Sequence, residues 1–172
     1  MRRCMATLAR PMRYHLTGMG ANVQCSMARD ASITMATDVP RRMGGSDAAP
    51  QPIELFLTSL CGCELATATF VARHMTPRVH VEKIEFDVYA ERDSLGALQL
   101  PLTTDPATMP VARLARVWGT ATVYTTASQA QVTELCDHVK RRCPVANMAV
   151  LSGCALEIDW GQKTPSSGSS AH

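Results

Sequence analysis

From residue 52 to residue 75 the chain reads PIELFLTSLCGCELATATFVARHM, apolar on nearly every side of a helical turn. Such a segment has no polar face to give to water, so the pattern predicts the buried central helix of the fold. Pro52 suits a first turn, where its missing N–H would be unpaired in any case, and Pro77 bars continuation. Upstream, from about Tyr14 to Val39, alternations such as Ile33 and Met35 predict short strands joined by turns. The Gly- and Pro-rich PRRMGGSDAAPQP that follows predicts a loop.

Downstream, KIEFDVYAE alternates strictly. Ile84, Phe86, Val88 and Ala90 face one way, and Glu85, Asp87, Tyr89 and Glu91 the other, as in a half-buried strand. Residues Ser94 to Pro110 hold three prolines and few charges, and predict a connecting loop. RVWGTATVYTT, β-branched and aromatic, predicts a second strand. Ser128 and Gln131 form an S-x-x-Q capping box ahead of Val132, Leu135, Cys136 and Val139 at helical spacing. Lys140, Arg141 and Arg142 fill the last turn, where positive charge complements the helix dipole. The pattern breaks at Cys143-Pro144. PVANMAVLSG then predicts a short helix ending near Gly153, and ALEIDW a final strand. The order is strands, helix, strands, helix pair, strand, with no βαβ alternation carrying phosphate-type glycine loops. That is an α+β domain. Its predicted span is 13–161, with residues 1–12 as a leader and the polar 162–172 as a disordered tail.

Composition narrows the function classes. A length of 172 residues suits one domain with one sizeable core. Hydrophobic residues at 46% and charged residues at 19% mark a globular chain, and aromatics at 5% leave Ala, Val, Leu and Met to fill the interior. A formal charge of +2, with no basic stripe interleaved with aromatics, argues against nucleic acid and against an acidic membrane surface. The most apolar run, Ile53 to Ala72, is interrupted by Glu54 and Glu64, so no uncharged run reaches membrane-spanning length and no membrane partner is expected. The amino terminus, MRRCMATLARPMRYHLTG, carries four arginines, and no acid occurs before Asp30. That bias resembles a mitochondrial presequence, and it also fits a bacterial extension or an upstream start before Met12. The expected location is mitochondrial or cytoplasmic.

Seven cysteines stand at positions 4, 25, 61, 63, 136, 143 and 154. An odd count without a secretory signal argues against a disulfide framework and for a reduced compartment. Cys143, directly before Pro144, occupies the cap of a helix, where free N–H groups and the positive end of the dipole favour a thiolate. Arg141 and Arg142 add positive charge beside it. The alternative is a cap cysteine without a task. Cys63 lies mid-helix in L-C-G-C-E, where a cysteine is most often core filler. Gly62 beside it, costing about 1 kcal/mol against alanine in a helix, suggests the close approach of a backbone or substrate. Cys61 lies two residues and about 200° from Cys63, so the two point apart, and Cys61 reads as packing. With no C-x-x-C pair, and with His74 and His138 lacking partners at ligand spacing, neither a metal nor a cofactor is expected. His74 reads as a dipole-complementing surface group at the helix end. Cys4 falls in the leader, and Cys25, Cys136 and Cys154 sit on alternating or apolar faces, with no chemistry assigned.

PxPIELFLTSLCGC together with RRCPVANM and the GG-x4-P-x-P-x-E-L lead-in at Gly44 to Leu55 resembles the osmotically inducible protein C / organic hydroperoxide resistance (OsmC/Ohr) family, over about Tyr14 to Trp160. The resemblance implies an intertwined homodimer of curved antiparallel sheets wrapped on two central helices, with active sites at the subunit interface. It makes Cys63 the peroxidatic thiol, oxidised to a sulfenic acid, and Cys143 the thiol that resolves it as an intramolecular disulfide. The implied substrates are organic hydroperoxides, and the implied reductant is a dithiol such as a dihydrolipoyl group. Two positions depart from the Ohr branch and fit the OsmC-like branch better. Where that branch has a glutamate directly after the helix-opening proline, this chain has Ile53, and its acid is Glu54, about 100° further round the helix. That branch also uses an arginine near the first strand to lower the pKa of the attacking cysteine. The corresponding stretch here, TGMGANVQ, has none, which leaves Arg29, Arg41 or Arg42 as substitutes. Glu54, Arg41 and Arg42 are therefore carried as supporting residues. The expected function is a thiol peroxidase, against a redox sensor or thiol carrier of the same fold, or a structural dimeric module whose cysteines only pack.

Overall fold

A computed structural model of the full chain describes residues 12–165 except 31, 94, 99, 103 and 104. The leader expected at 1–12 therefore lies, apart from Met12, outside the described residues. The chain forms two compact units, Met1–Leu55 and Phe56–His172.

The first unit is an antiparallel meander of β1 (Thr17–Ala21), β2 (Gln24–Asp30) and β3 (Ile33–Thr37). The strands between Tyr14 and Val39 are present as expected. β1 and β2 are joined by Asn22 and Val23, with Asn22 at φ 55°, a left-handed conformation that asparagine tolerates. After β3 the chain turns through a 3-10 turn at Arg41–Met43 around the buried carboxylate of Asp38. Gly44 takes φ 89°, and a Cβ on Gly45 would overlap the Val39 carbonyl oxygen. The Gly-Gly pair is thus what allows the loop to close on Asp38.

The second unit carries most of α1 (Pro52–His74), then β4 (Lys83–Arg92), α2 (Leu95–Leu98), β5 (Leu114–Tyr124), α3 (Gln129–Arg142), α4 (Pro144–Leu151) and β6 (Ala155–Lys163). Its sheet has the order β4-β5-β6. β4 and β5 are antiparallel, pairing Ile84 with Val123 and Val88 with Gly119. β5 and β6 are parallel, from Arg116 with Ala155 to Tyr124 with Lys163. The parallel pair departs from the wholly antiparallel sheets that the resemblance implies. A parallel neighbour needs a crossover, and α3 with α4 supplies it.

The capping box forms as expected. Ser128 Oγ accepts from Gln131 N at 3.3 Å, and Gln131 Oε1 accepts from Ser128 N at 3.0 Å. Leu135 and Val139 of α3 pack with Leu60, Ala68 and Val71 of α1 and with Val117, Ala121 and Ile158 of the sheet in one core.

Three expectations change. Residues 94–110 are more than a connecting loop, since they contain α2 and a 3-10 turn at Pro106–Thr108. The final strand runs on to Lys163, so residues 162 and 163 belong to the sheet, and of the expected tail 166–172 lie outside the described residues. α1 is buried on one stripe only, at Leu60, Glu64, Ala68, Val71 and Ala72. It has the length and the mean hydropathy, 1.6, of a membrane span, yet only 28% of that window is buried. The stripe packs in the protein core, while Leu65 and Phe70 face out.

Candidate active site

Cys63 is brought in by α1 and Cys143 by the cap between α3 and α4. Cys143 closes the end of α3, its N–H donating to Val139 O at 2.8 Å, and opens α4, its Sγ accepting from Ala146 N at 3.4 Å. Pro144 follows at the first helical position, where no donor is lost. The Cys143 and Cys63 side chains meet in the same core cluster, close enough for the one thiol to act on the other, and both are free.

The two sulfurs differ in surroundings. Cys143 is fully buried. That burial pushes its thiol up to about 11, against the pull of the Ala146 N–H, and the interaction with Cys63 pushes the same way. The thiolate expected at Cys143 from its cap position is therefore corrected. Desolvation outweighs the helix terminus, and Cys143 is a protonated thiol at neutral pH. Cys63 is half-buried and lines a cavity of about 380 Å³ with Ala66, Thr67, Phe70 and Arg142. An apolar wall and one guanidinium suit a molecule with an alkyl or aryl body and a polar end that gains negative charge.

The supporting residues fall as follows. Glu54 sits in the first turn of α1, and its Oε2 accepts from Gln51 N at 2.7 Å. It reaches back to the residue before the helix, the carboxylate half of a capping box. Arg41 and Arg42 lie exposed on the 3-10 turn of the first unit. The guanidinium that shares a cavity with Cys63 is that of Arg142, read from sequence only as charge beside Cys143. Its position at the last turn of α3, one residue before the cap, is the signal that could have singled it out.

Sequence reasoning also passed over Glu64, the residue after Cys63, as a mere interruption of an apolar run. Only 2% of it is exposed, and its Oε2 is buried with no hydrogen-bond partner. Burial raises its carboxyl to about 7, with Lys140 pulling the other way.

Cys136 and Cys154 are buried, and burial followed by the charge of Glu64 pushes Cys61 up to about 11. His74 lies at the exposed end of α1, its Nδ1 2.7 Å from Phe70 O and therefore donating. Among the described residues no group of three His, Cys, Asp or Glu side chains is placed to hold a metal.

An α+β domain with a long helix, a helix-cap cysteine and a paired thiol defines the class of protein. The OsmC-like protein family matches residues 44–159, and the chain belongs to that family. No curated protein matches the sequence. Among solved structures, an OsmC-like protein from Mycoplasma pneumoniae superposes with a TM-score of 0.68 at 18% identity, covering 89% of this chain and 99% of its own. The organic hydroperoxide resistance protein OsmC of Legionella pneumophila gives 0.65 at 16% identity, covering 87% and 97%. An organic hydroperoxide resistance protein of Elizabethkingia anophelis gives 0.66 at 12% identity, covering 91% and 100%. At these identities the likeness is one of fold.

Proposed function

We propose that this protein reduces organic hydroperoxides, with Cys63 as the attacking thiol and Cys143 as the resolving one. The observation that carries the reading is the neighbouring pair of free thiols, of which Cys63 and not Cys143 lines the cavity of Phe70 and Arg142. The sulfur of Cys63, as a thiolate, attacks one oxygen of the hydroperoxide and the O–O bond breaks. The alcohol leaves with a proton, and Cys63 becomes a sulfenic acid. Cys143 then attacks that sulfur, its proton leaves with the displaced hydroxide as water, and a Cys63–Cys143 disulfide remains. Two thiols are oxidised and one peroxide bond is reduced. An external dithiol, such as a dihydrolipoyl group, restores both thiols by exchange. Arg142 is the cation available to the leaving oxygen. Cys143, buried and held protonated, does not suit the first role, which leaves it the second, where its proton goes to the departing hydroxide.

The protein acts as a homodimer in this reading. The exposed apolar side chains that support it are Phe70 on the outer face of α1, 56% exposed, and Met148 and Leu151 of α4, 68% and 86% exposed. Light scattering is then expected to give twice 18.6 kDa.

The test is a thiol count after cumene or tert-butyl hydroperoxide is added to the reduced chain. Loss of two thiols per chain is expected. Cys63→Ser abolishes the loss, Cys143→Ser leaves a sulfenic acid that dimedone traps, and Arg142→Gln slows the reaction by about tenfold or more. Unchanged thiols in excess hydroperoxide would remove the reading.

A further inference from the structure

The buried carboxyl of Glu64 lines a cavity other than the one Cys63 opens onto, together with Lys140, Asn147, Leu156, Ile158 and Trp160. It measures about 200 Å³ and its walls are mostly apolar. Within it Glu64 Oε2 is shielded from water and accepts from no donor. A buried acceptor is almost always satisfied, so an unpartnered carboxyl oxygen lining a mostly apolar cavity points to a donor bound there.

We propose that this cavity is a second binding site, for a small neutral molecule with a ring-sized apolar body and one hydroxyl that donates to Glu64. The dimensions limit the body: a designed apolar cavity of about 150 Å³ holds benzene, while drug-sized ligands need about 300 Å³ or more. The lining limits the polar group. Above pH 7, where Glu64 is ionised, Oε2 needs a donor, which excludes hydrocarbons and ethers. Lys140 in the same lining opposes an ammonium group, and Glu64 itself opposes an anion. A neutral hydroxyl meets both conditions. Lys140 and Asn147 come from α3 and α4, and Leu156, Ile158 and Trp160 from β6, so the site is built on regular elements. Residues 63 and 64 turn about 100° apart on α1, which separates this site from the thiol cavity. The inference does not depend on the peroxidase reading.

The test uses the full-length reduced protein at pH 8 with benzyl alcohol, toluene and benzylamine as probes, followed by the indole resonances of its two tryptophans. Saturable binding of benzyl alcohol is expected to shift Trp160 and leave Trp118 unmoved. Toluene and benzylamine are expected to bind about tenfold more weakly or worse, because neither offers a neutral donor. In Glu64→Leu the preference for benzyl alcohol over toluene disappears. The wild-type comparison of the three probes stands on its own if that variant fails to fold. Benzyl alcohol that does not bind, or that shifts Trp118 instead, overturns the proposal. So does binding of toluene or benzylamine as tight as that of benzyl alcohol, or a preference that survives in Glu64→Leu.

Discussion

Among the described residues two carboxyls are buried, one in each unit, and they have opposite fates. Asp38 is 1% exposed and fully engaged. Its Oδ2 accepts from Gln24 Nε2, Ser46 N, Ser46 Oγ and Ala48 N at 2.6 to 3.1 Å, and its Oδ1 from Val39 N at 2.8 Å. The Ser46 hydroxyl, then the Ala48 N–H, hold it well below the usual carboxylate range. Glu64, 2% exposed, has an oxygen with no donor and is raised to about 7. Burial alone does not say what an acid is for. A carboxylate ringed by donors ties a loop together, whereas a carboxyl left short of donors is a cost the fold carries beside its thiol pair.

The largest effect expected from this contrast is that of Asp38→Asn. Every atom facing Asp38 is a donor, so an amide NH2 must meet another donor in either orientation. The melting temperature is expected to fall by about 12 °C or more, read by calorimetry. A stable Asp38→Asn variant would break the contrast.

Next in size is the pH dependence of stability. Glu64 is raised in the folded state, so the folded chain holds a proton that the unfolded chain has lost. Its contribution is present below about 4.5 and is lost as pH rises toward about 7, a fall on the order of 3 kcal/mol. Denaturant unfolding across that range checks it. Asp38 has the opposite sign, its contribution being lost as pH falls below about 3.8. The smallest effect is that of Glu64→Leu, expected to flatten the slope above pH 4.5 and to raise stability at pH 8 by on the order of 1 kcal/mol. A slope that survives the substitution would assign the titration to another group.

The same divide between local and distant interactions governs what the sequence made legible. The capping box, the Cys143-Pro144 junction, the alternation of residues 83–91 and the long helix are set by neighbours in the chain, and each is found as read. The parallel pairing of β5 with β6 joins strands across two helices, and no local pattern encodes it. The exposure of α1 was misread because hydropathy reports what a helix avoids, not what covers it. The thiolate expected at Cys143 failed for a similar reason. The cap is written in the sequence, while the depth of burial that outweighs it depends on the whole core. Arg142 and Glu64 were visible as residues, but their place at two separate cavities is a matter of tertiary packing.

The pairing of Cys63 with Cys143 is tested most directly by peptide mapping of the protein after one equivalent of an organic hydroperoxide. A single intramolecular crosslink joining the peptides that carry these two cysteines is expected, with Cys61, Cys136 and Cys154 still alkylatable after unfolding. A Cys63 that alkylates readily yet forms no crosslink with Cys143 and ignores the hydroperoxide would contradict it, and would favour a thiol sensor or carrier on the same fold.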